Sequence, residues 1–169
     1  MSSTFKGALI GFALLVMGVS VAGVLGAETV MIAARETVDG AASQPPLAAV
    51  EGVSSGLFEA GHVVFDAGQV GASAKASDLA EVAREGRAGW LLQITVAYTQ
   101  TKLDQEAVRV ACSATFSLVN ASTGATSFTD KVSASNAGRE KKVDRAALGA
   151  ELGKLISQKV VKALPSPLL

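Results

Sequence analysis

The chain has 169 residues, of which 49% are apolar, and its 15 Lys and Arg residues balance its 15 Asp and Glu residues. This length corresponds to one domain with a sizeable hydrophobic core, which needs no disulfide or metal to hold it together. Because the chain has no net positive charge and only 5% aromatic residues, its composition argues against a nucleic-acid-binding protein.

The first 27 residues are typical of an export segment. The start is short and polar with one positive charge, Lys6, and residues 7–27 contain no charged residue. The small residues Val24 and Gly26 precede Ala27 in the pattern of a signal-peptide cleavage site. An uncleaved membrane anchor is the alternative, because residues 7–27 match the roughly 20 residues that span a bilayer. Either form places the body of the protein outside the cytoplasm, soluble or anchored to the membrane.

The rest of the chain predicts a regular succession of strands and helices. Apolar residues recur with strand or helix periods, and Gly or Pro lies near most boundaries. Within the first helix, Gly52 and Gly56 are expected to let the helix lie close against a sheet. The predicted elements are a strand at 28–36, a helix at 46–61, a strand at 62–66, a helix at 78–86, strands at 90–101, 108–118 and 125–135, and a helix at 145–164.

Residues 90–135 predict three consecutive strands that each bury one side. Apolar and polar residues alternate there with a period of two, which is typical of a strand with one face on a core and one in water. The residues predicted to face the core are Trp90, Leu92, Ile94, Val96 and Tyr98 in the first strand and Val108, Val110, Cys112, Ala114, Phe116 and Leu118 in the second. Leu91 is an exception. Asp130 lies on the core side of the third strand, which indicates a bulge, an exposed strand end or an edge position.

The order β-α-β-α-β-β-β-α predicts an α+β (α/β-like) fold with a mixed sheet of about five strands and helices packed on one face. We expect a single α/β sandwich domain at residues 28–164. It is preceded by the signal peptide or membrane anchor at residues 1–27 and followed by a short C-terminal tail at residues 165–169.

No arrangement of residues in the sequence predicts catalysis. Nucleophilic catalysis needs a nucleophile beside a base, and the single histidine, His62, lies at the start of a predicted strand, where a structural or surface role is expected. The single cysteine, Cys112, is expected to be a buried, inert thiol. The carboxylates are scattered along helix faces and loops, where we expect them to be solvated, and no spacing indicates a metal site. We therefore expect no enzyme activity and no cofactor.

The outward side of the last two strands is the candidate functional surface. Small hydroxyl side chains cost little entropy to order and suit a flat docking surface, although antiparallel sheets also commonly leave a polar face in water. The residues of this predicted partner-binding face are Arg109, Ser113, Thr115, Ser117, Ser127, Thr129 and Lys131.

Three stretches resemble a group of exported bacterial α/β domains. Residues 50–66 (VEGVSSGLFEAGHVVFD) are similar to that group's helix and following strand, residues 88–94 (AGWLLQI) to its helix-to-strand passage, and residues 118–127 (LVNASTGATS) to its hairpin with a Thr-Gly turn. The group includes the penicillin-binding protein activator LpoB, the curli secretion lipoprotein and the N-terminal domain of TolB. The resemblance implies the same fold and a non-enzymatic action through protein contacts, and it transfers no site residue. In contrast to the lipoproteins of that group, this chain has no cysteine just after its apolar segment, because its single cysteine is Cys112.

Two functions remain open from the sequence. The first is a non-catalytic accessory or assembly factor of the cell envelope that binds another envelope protein. The second is a periplasmic carrier of a small molecule or lipid, with a pocket between the sheet and the helices lined by Phe58, Trp90 and Leu155. Neither function predicts a particular oligomeric state.

Overall fold

A computed structural model of the chain describes residues 27–43, 47–71, 73–103, 107–136 and 144–165. These residues form three helices and a mixed sheet of six strands, which confirms the predicted class and order of elements. The strands are β1 (Thr29–Val38), β2 (Ala41–Ala42), β3 (Val63–Gln69), β4 (Trp90–Lys102), β5 (Val108–Asn120) and β6 (Thr126–Ser135). The helices are α1 (Ala48–Glu59), α2 (Ala76–Glu85) and α3 (Arg145–Ala163). The sequence did not predict β2, which has only two residues.

The first strand, β1, lies in the middle of the sheet. It pairs in parallel with β4 along one side, from Val30 opposite Trp90 to Val38 opposite Tyr98. Along its other side it pairs in parallel with β3 and, at its C-terminal end, antiparallel with β2. The antiparallel pairs β4–β5 and β5–β6 complete the sheet and leave β6 at an edge. Because parallel neighbours need crossover connections, α1 and α2 carry the chain across the sheet between them.

One side of the sheet, here called the inner face, is covered by α1 and α3. Alternate side chains of β1, β4 and β5 point into this layer, as predicted from the period of two in residues 90–118. Each large apolar side chain that is fully buried there contributes about 1.5–3 kcal/mol of hydrophobic stabilisation. The core residues include Val30, Ile32, Leu92, Ile94, Val96, Phe116 and Leu118 from the sheet, Val53 and Leu57 from α1, and Leu152, Ile156 and Val160 from α3.

The opposite side, the outer face, is covered by α2 over part of its area. Met31 and Ala33 of β1 and Leu91 of β4 pack there in one cluster with Ala80 and Ala83 of α2. The expectation that the helices share one face is therefore wrong for α2. The crossover from β1 to β3 moves toward one edge of the sheet, and the crossover from β3 to β4 moves toward the other edge. Since both are expected to be right-handed, their helices, α1 and α2, lie on opposite faces. The same packing explains why Leu91 is apolar at an outward position.

The two helices of the inner face approach each other at glycines. A Cβ atom at Gly52 would lie 2.5 Å from the carbonyl oxygen of Ala150, and one at Gly153 would overlap the carbonyl oxygen of Ala49. Gly56 likewise faces α3. The expectation that Gly52 and Gly56 lie against the sheet is wrong, because these residues lie where α1 packs on α3.

Asp130 occupies an edge position, one of the three alternatives predicted for it. It lies opposite Phe116 on the inner side of β6, which is the edge strand. Its carboxylate accepts a hydrogen bond from the Lys159 ammonium of α3 at 2.6 Å. The register shift between β5 and β6 lies elsewhere, between Leu118 and Val119.

Candidate functional site

The outward side chains of residues 93–101, 109–117 and 127–135 form a surface that we call the open outer surface. In the register of β5 and β6, Ser117 lies opposite Thr129 and Thr115 lies opposite Lys131. Ser113 lies two residues further along the same side of β5. Since directly opposite residues of antiparallel strands project to the same side, these five predicted residues lie together. All of them are exposed except Ser117, which is half-buried.

The remaining two predicted residues, Arg109 and Ser127, lie at opposite ends of this surface. Arg109 is opposite Thr101, near the start of β5. Ser127 has no register partner in β5, because the bulge between Leu118 and Val119 shifts the pairing there. Both side chains are exposed. Their role in partner binding stays a prediction.

The open outer surface is neutral to positive. Within the described strands, the outward positions of β4, β5 and β6 hold no Asp or Glu, and their charged residues are Arg109 and Lys131. Arg35 of β1, opposite Thr95, adds a third cation at the border of the surface. A shallow depression of about 370 Å³ crosses it beside Ser113. The arrangement can bind a flat polar or acidic surface through hydroxyl groups and charge.

The two residues considered for nucleophilic chemistry have structural contacts. His62 is 7% exposed, and its Nδ1 atom accepts a hydrogen bond from the backbone N–H of Glu28 at 3.3 Å. The buried Cys112 thiol donates to the carbonyl oxygen of Ala134 at 3.4 Å, and burial raises its pKa. The predicted structural histidine and buried thiol are confirmed. Within the described residues, no group of three or more His, Cys, Asp or Glu side chains could hold a metal ion.

Glu36 is a buried carboxylate that the sequence interpretation missed. Its side chain is 2% exposed at the end of β1 and accepts a hydrogen bond from the backbone N–H of Ala49 at 3.1 Å. Leu47, the N-cap residue of α1, provides no side-chain acceptor, so Glu36 supplies the capping interaction from the neighbouring strand. Burial is the largest effect on the Glu36 carboxyl and raises its pKa. The expectation that the carboxylates are solvated is therefore wrong for Glu36.

Tyr98 is a second buried polar residue on the inner face, beside Glu36. The residue is 3% exposed, and its hydroxyl has no hydrogen-bond partner within the described part of the chain. Burial, followed by the charge of Glu36, raises the pKa of Tyr98 well above its usual range, so the phenol is neutral. Both residues line a cavity of about 380 Å³. Glu36 and Tyr98 both stand at inward positions in the alternation of apolar and polar residues along β1 and β4. This alternation could have been read from the sequence.

The prediction of a carrier pocket lined by Phe58, Trp90 and Leu155 is wrong for at least one of these residues. Phe58 is 73% exposed on α1, so its side chain does not lie between the sheet and the helices. Trp90 is half-buried, and its indole N–H donates to the Glu28 carboxylate at 3.2 Å. Leu155 of α3 is also half-buried. These three side chains therefore do not enclose a common ligand.

The topology, with β1 between two parallel neighbours and a meander that ends at the edge strand, defines a class of small α+β domains with known representatives. The PelC dodecamer from Paraburkholderia phytofirmans is similar, with a TM-score of 0.56 and 17% identity over 83% of this chain and 90% of that chain. A hypothetical protein from Chlamydia trachomatis has a TM-score of 0.51 and 13% identity over 81% of this chain and 98% of that chain. The C-terminal domain of LpoB from Salmonella enterica has a TM-score of 0.47 and 15% identity over 67% of this chain and 86% of that chain. The predicted structural resemblance is confirmed, and at these identities it is a resemblance of fold.

No protein-family model matches the sequence, and no curated protein matches it. Across the described ranges, no helix is both long and apolar enough to cross a membrane. Residues 1–26, which hold almost all of the predicted export segment, lie outside the described residues, as do residues 166–169 of the predicted tail.

Proposed function

We propose that this chain is an exported bacterial envelope protein that acts without catalysis, as an accessory or assembly factor that binds another envelope protein through the open outer surface. The observation that carries the proposal is the unequal cover of the sheet. Helices α1 and α3 cover the inner face, whereas α2 packs on β1 and the start of β4. Most outward side chains of the remaining meander, among them Ser113 and Thr115, are exposed.

The chemistry of this surface suits a flat, polar partner. Ser and Thr side chains lose little conformational entropy on binding, and each hydroxyl both donates and accepts hydrogen bonds. Arg35, Arg109 and Lys131 favour a partner with an acidic or neutral surface, because complementary charge speeds encounter and excludes partners of like charge. We therefore expect binding whose association rate falls with added salt.

The location follows from the predicted export segment. Residues 7–27 direct the chain to the periplasm, where it is either soluble after cleavage near Ala27 or anchored to the inner membrane. The N-terminal residue of the protein isolated from its own cells separates the two forms. A start near Ala27 means a soluble protein, and an intact N-terminus means an anchored one.

A pull-down from envelope extract tests the partner-binding surface. The double substitution Thr115→Arg and Thr129→Arg places two long side chains in the middle of the surface, and we expect it to abolish recovery of the partner. The matched control carries Ser55→Arg and Ser77→Arg, which make the same kind of change at exposed hydroxyl residues of α1 and α2. Circular dichroism and urea unfolding confirm that both proteins fold.

Three outcomes decide the proposal. Loss of a partner in the Thr115/Thr129 variant but not in the control supports it. Equal recovery with both variants contradicts the assigned surface. Recovery of no second protein at any salt concentration contradicts the proposal that the chain binds another envelope protein.

A further inference from the structure

A small cavity lies on the outer side of the sheet, where β1 and β4 meet the end of β3 and the start of α2. It encloses about 220 Å³, and its walls include the apolar side chains of Val70 and Leu79. Both of these side chains pack against the apolar cluster beneath α2. Two further residues of the cavity, Gln93 and Thr95, belong to the open outer surface, so the cavity lies at the border of that surface.

Arg35 is the charged residue of this cavity. It lies opposite Thr95 in the parallel pairing of β1 with β4, and its side chain is half-buried. Within the described residues Arg35 forms no ion pair, and no described Asp or Glu lines the cavity. A cation that has lost part of its hydration is stabilised by a carboxylate more strongly than a fully exposed cation is. Arg35 is therefore placed to receive an acidic group.

The two polar neighbours of Arg35 in the cavity offer hydrogen-bond donors. The Oε1 atom of Gln93 accepts a hydrogen bond from the Ser117 hydroxyl at 3.4 Å, so the amide N–H groups of Gln93 remain as donors. The Thr95 hydroxyl is exposed and can donate as well. The guanidinium, the amide and the hydroxyl thus present donors to one acceptor. An ionised carboxylate matches them, because it accepts hydrogen bonds and donates none.

The size and the position of the cavity favour a protein side chain over a free ligand. Small-molecule sites commonly enclose about 300–1,000 Å³, and this cavity is smaller. Thr95 lies directly opposite Thr115 in the middle of the open outer surface, so a partner on that surface lies within reach of the cavity. The described outward positions of β4, β5 and β6 hold no Asp or Glu, so an acidic side chain meets no like charge there.

We propose that an Asp or Glu side chain of the partner protein enters this cavity and forms an ion pair with Arg35, while Gln93 and Thr95 donate to the same carboxylate. The inference rests on the function proposed above and adds the chemistry that anchors the partner. A guanidinium can hold both oxygens of a carboxylate through two parallel N–H groups, a geometry that an ammonium group cannot reproduce. Recognition then depends on one partly buried ion pair as well as on the flat hydroxyl surface.

A nuclear magnetic resonance titration tests the cavity without the partner. The full ¹⁵N-labelled chain is titrated at constant pH and ionic strength with propionate, which models the acidic side chain, and with propionamide, which has a similar shape and no charge. We expect saturable shifts of the Arg35 Nε–H group and the Thr95 amide with propionate and none with propionamide. Arg35→Gln should abolish the Thr95 response. Arg84→Gln, at an exposed arginine of α2, is the matched control and should leave it unchanged.

The pull-down from envelope extract, repeated over a range of chain concentrations, tests the source of the carboxylate. Because a hydrogen-bonded contact between charged groups is lost, we expect Arg35→Gln to weaken partner binding by about tenfold or more. Arg35→Lys keeps the charge without the paired N–H groups and should weaken binding less. Arg84→Gln should bind the partner as the unchanged chain does. Circular dichroism confirms that the variants fold.

The outcomes separate this inference from the proposed function. If the Thr115/Thr129 variant loses the partner and Arg35→Gln binds it fully, the acidic anchor is wrong and the assigned surface stands. If Arg35→Gln loses the partner and the Thr115/Thr129 variant keeps it, the anchor stands and the assigned surface is wrong. A propionate response without any recovered partner overturns a partner protein as the source of the carboxylate. An absence of a saturable response at Arg35, or an equal response at Arg84, overturns the site itself.

Discussion

The two sides of the β4–β5 pair are formed by alternating residues of the same two strands, so each residue on one side is followed by a residue on the other. On the inner side, Ile94, Val96 and Phe116 are each no more than 2% exposed. On the outer side, the adjoining residues Thr95 and Thr115 are exposed and lie directly opposite each other. One side is therefore specified by packing, whereas the other is nearly free of packing constraints.

This difference separates stability from recognition within one sheet. Side chains on the inner side set the register, because a slip of one residue would expose the whole apolar set to water. Side chains on the open outer surface can change without disturbing that register. A sheet of this kind can keep its fold while its exposed side adapts to a partner.

The largest expected contrast is between Phe116 and its neighbour Thr115. Phe116→Ala removes a fully buried ring in contact with Phe128 and is expected to lower the free energy of unfolding by about 3–5 kcal/mol. Thr115→Ala is expected to change it by no more than about 0.5 kcal/mol, because the side chain is exposed. Urea unfolding of both variants measures the contrast. Equal losses would mean that the outer side is also packed, and the comparison would fail.

The next contrast concerns how tightly α1 and α3 close the inner side. Gly153→Ala places a Cβ atom against backbone atoms of Ala49 and Val53, and we expect a loss of about 1–3 kcal/mol from overpacking. The expected loss is a net value, in which overpacking outweighs the gain of about 1 kcal/mol that alanine normally brings to a helix. Gly71→Ala is the control, since no atom lies within 4 Å of its added Cβ. Thermal unfolding that shows no loss for Gly153→Ala would contradict the close approach.

A smaller effect comes from Glu36, the charged residue of the inner side. Burial raises the pKa of its carboxyl above the ordinary 4.5, and the charge of Glu51 adds to this. Hydrogen bonds from the backbone N–H groups of Ala49 and Val50 and the nearby Tyr98 side chain oppose it. The folded state therefore holds the proton more tightly than the unfolded chain, so protonation of Glu36 stabilises the fold.

The stability of the unchanged chain relative to Glu36→Gln should accordingly fall as the pH rises from 4.5 through the folded pKa, and then level off. Urea unfolding at a series of pH values measures this fall. A relative stability that rises with pH over this range would contradict a raised pKa for Glu36.

The smallest effect is expected at the edge where the inner side meets water. The hydrogen bond from Lys159 is the largest cause that lowers the pKa of Asp130 below the ordinary 3.8. Lys159→Met should raise this pKa toward 3.8, as followed by nuclear magnetic resonance titration, with little change in global stability because exposed ion pairs are weak. Lys154→Met, at another exposed lysine of α3, should leave Asp130 unchanged. If both variants gave the same titration curve, the contact would not form in solution.

Much of the fold could be predicted from local patterns. The period of two in residues 90–118 predicted which side of β4 and β5 is buried, because hydrophobic burial acts on every residue of those strands in the same way. The position of α2 could not be read from its own sequence, since the handedness of crossovers and the strand order decide it together. The glycines of α1 were similarly ambiguous, because a close approach to a helix and one to a sheet both require Gly.

The polar residues were harder to interpret. Glu36 is in step with Val30 and Ile32 in the alternation of β1, which marked it as inward-facing, but the scattered placement of the carboxylates favoured a solvated role. What decides its burial is a contact with Ala49, a residue in a different element, and that contact depends on how α1 is placed. The open outer surface was predicted as a set of exposed residues. A bulge in the third strand of the meander was one of the three explanations offered for Asp130. The structure has a bulge, but it lies next to Ser127 and not at Asp130.

The central place of β1 has a consequence for the order of events during synthesis. Its two parallel neighbours begin at Val63 and Trp90, so β1 leaves the ribosome well before either neighbour exists. Contacts between distant parts of a chain form slowly, and an apolar strand without neighbours associates readily with other chains. We therefore expect this polypeptide to rely on delayed folding and on holding factors until at least Tyr98 has emerged. A chain that crosses a membrane unfolded and completes its sheet on the far side meets that requirement without any additional device.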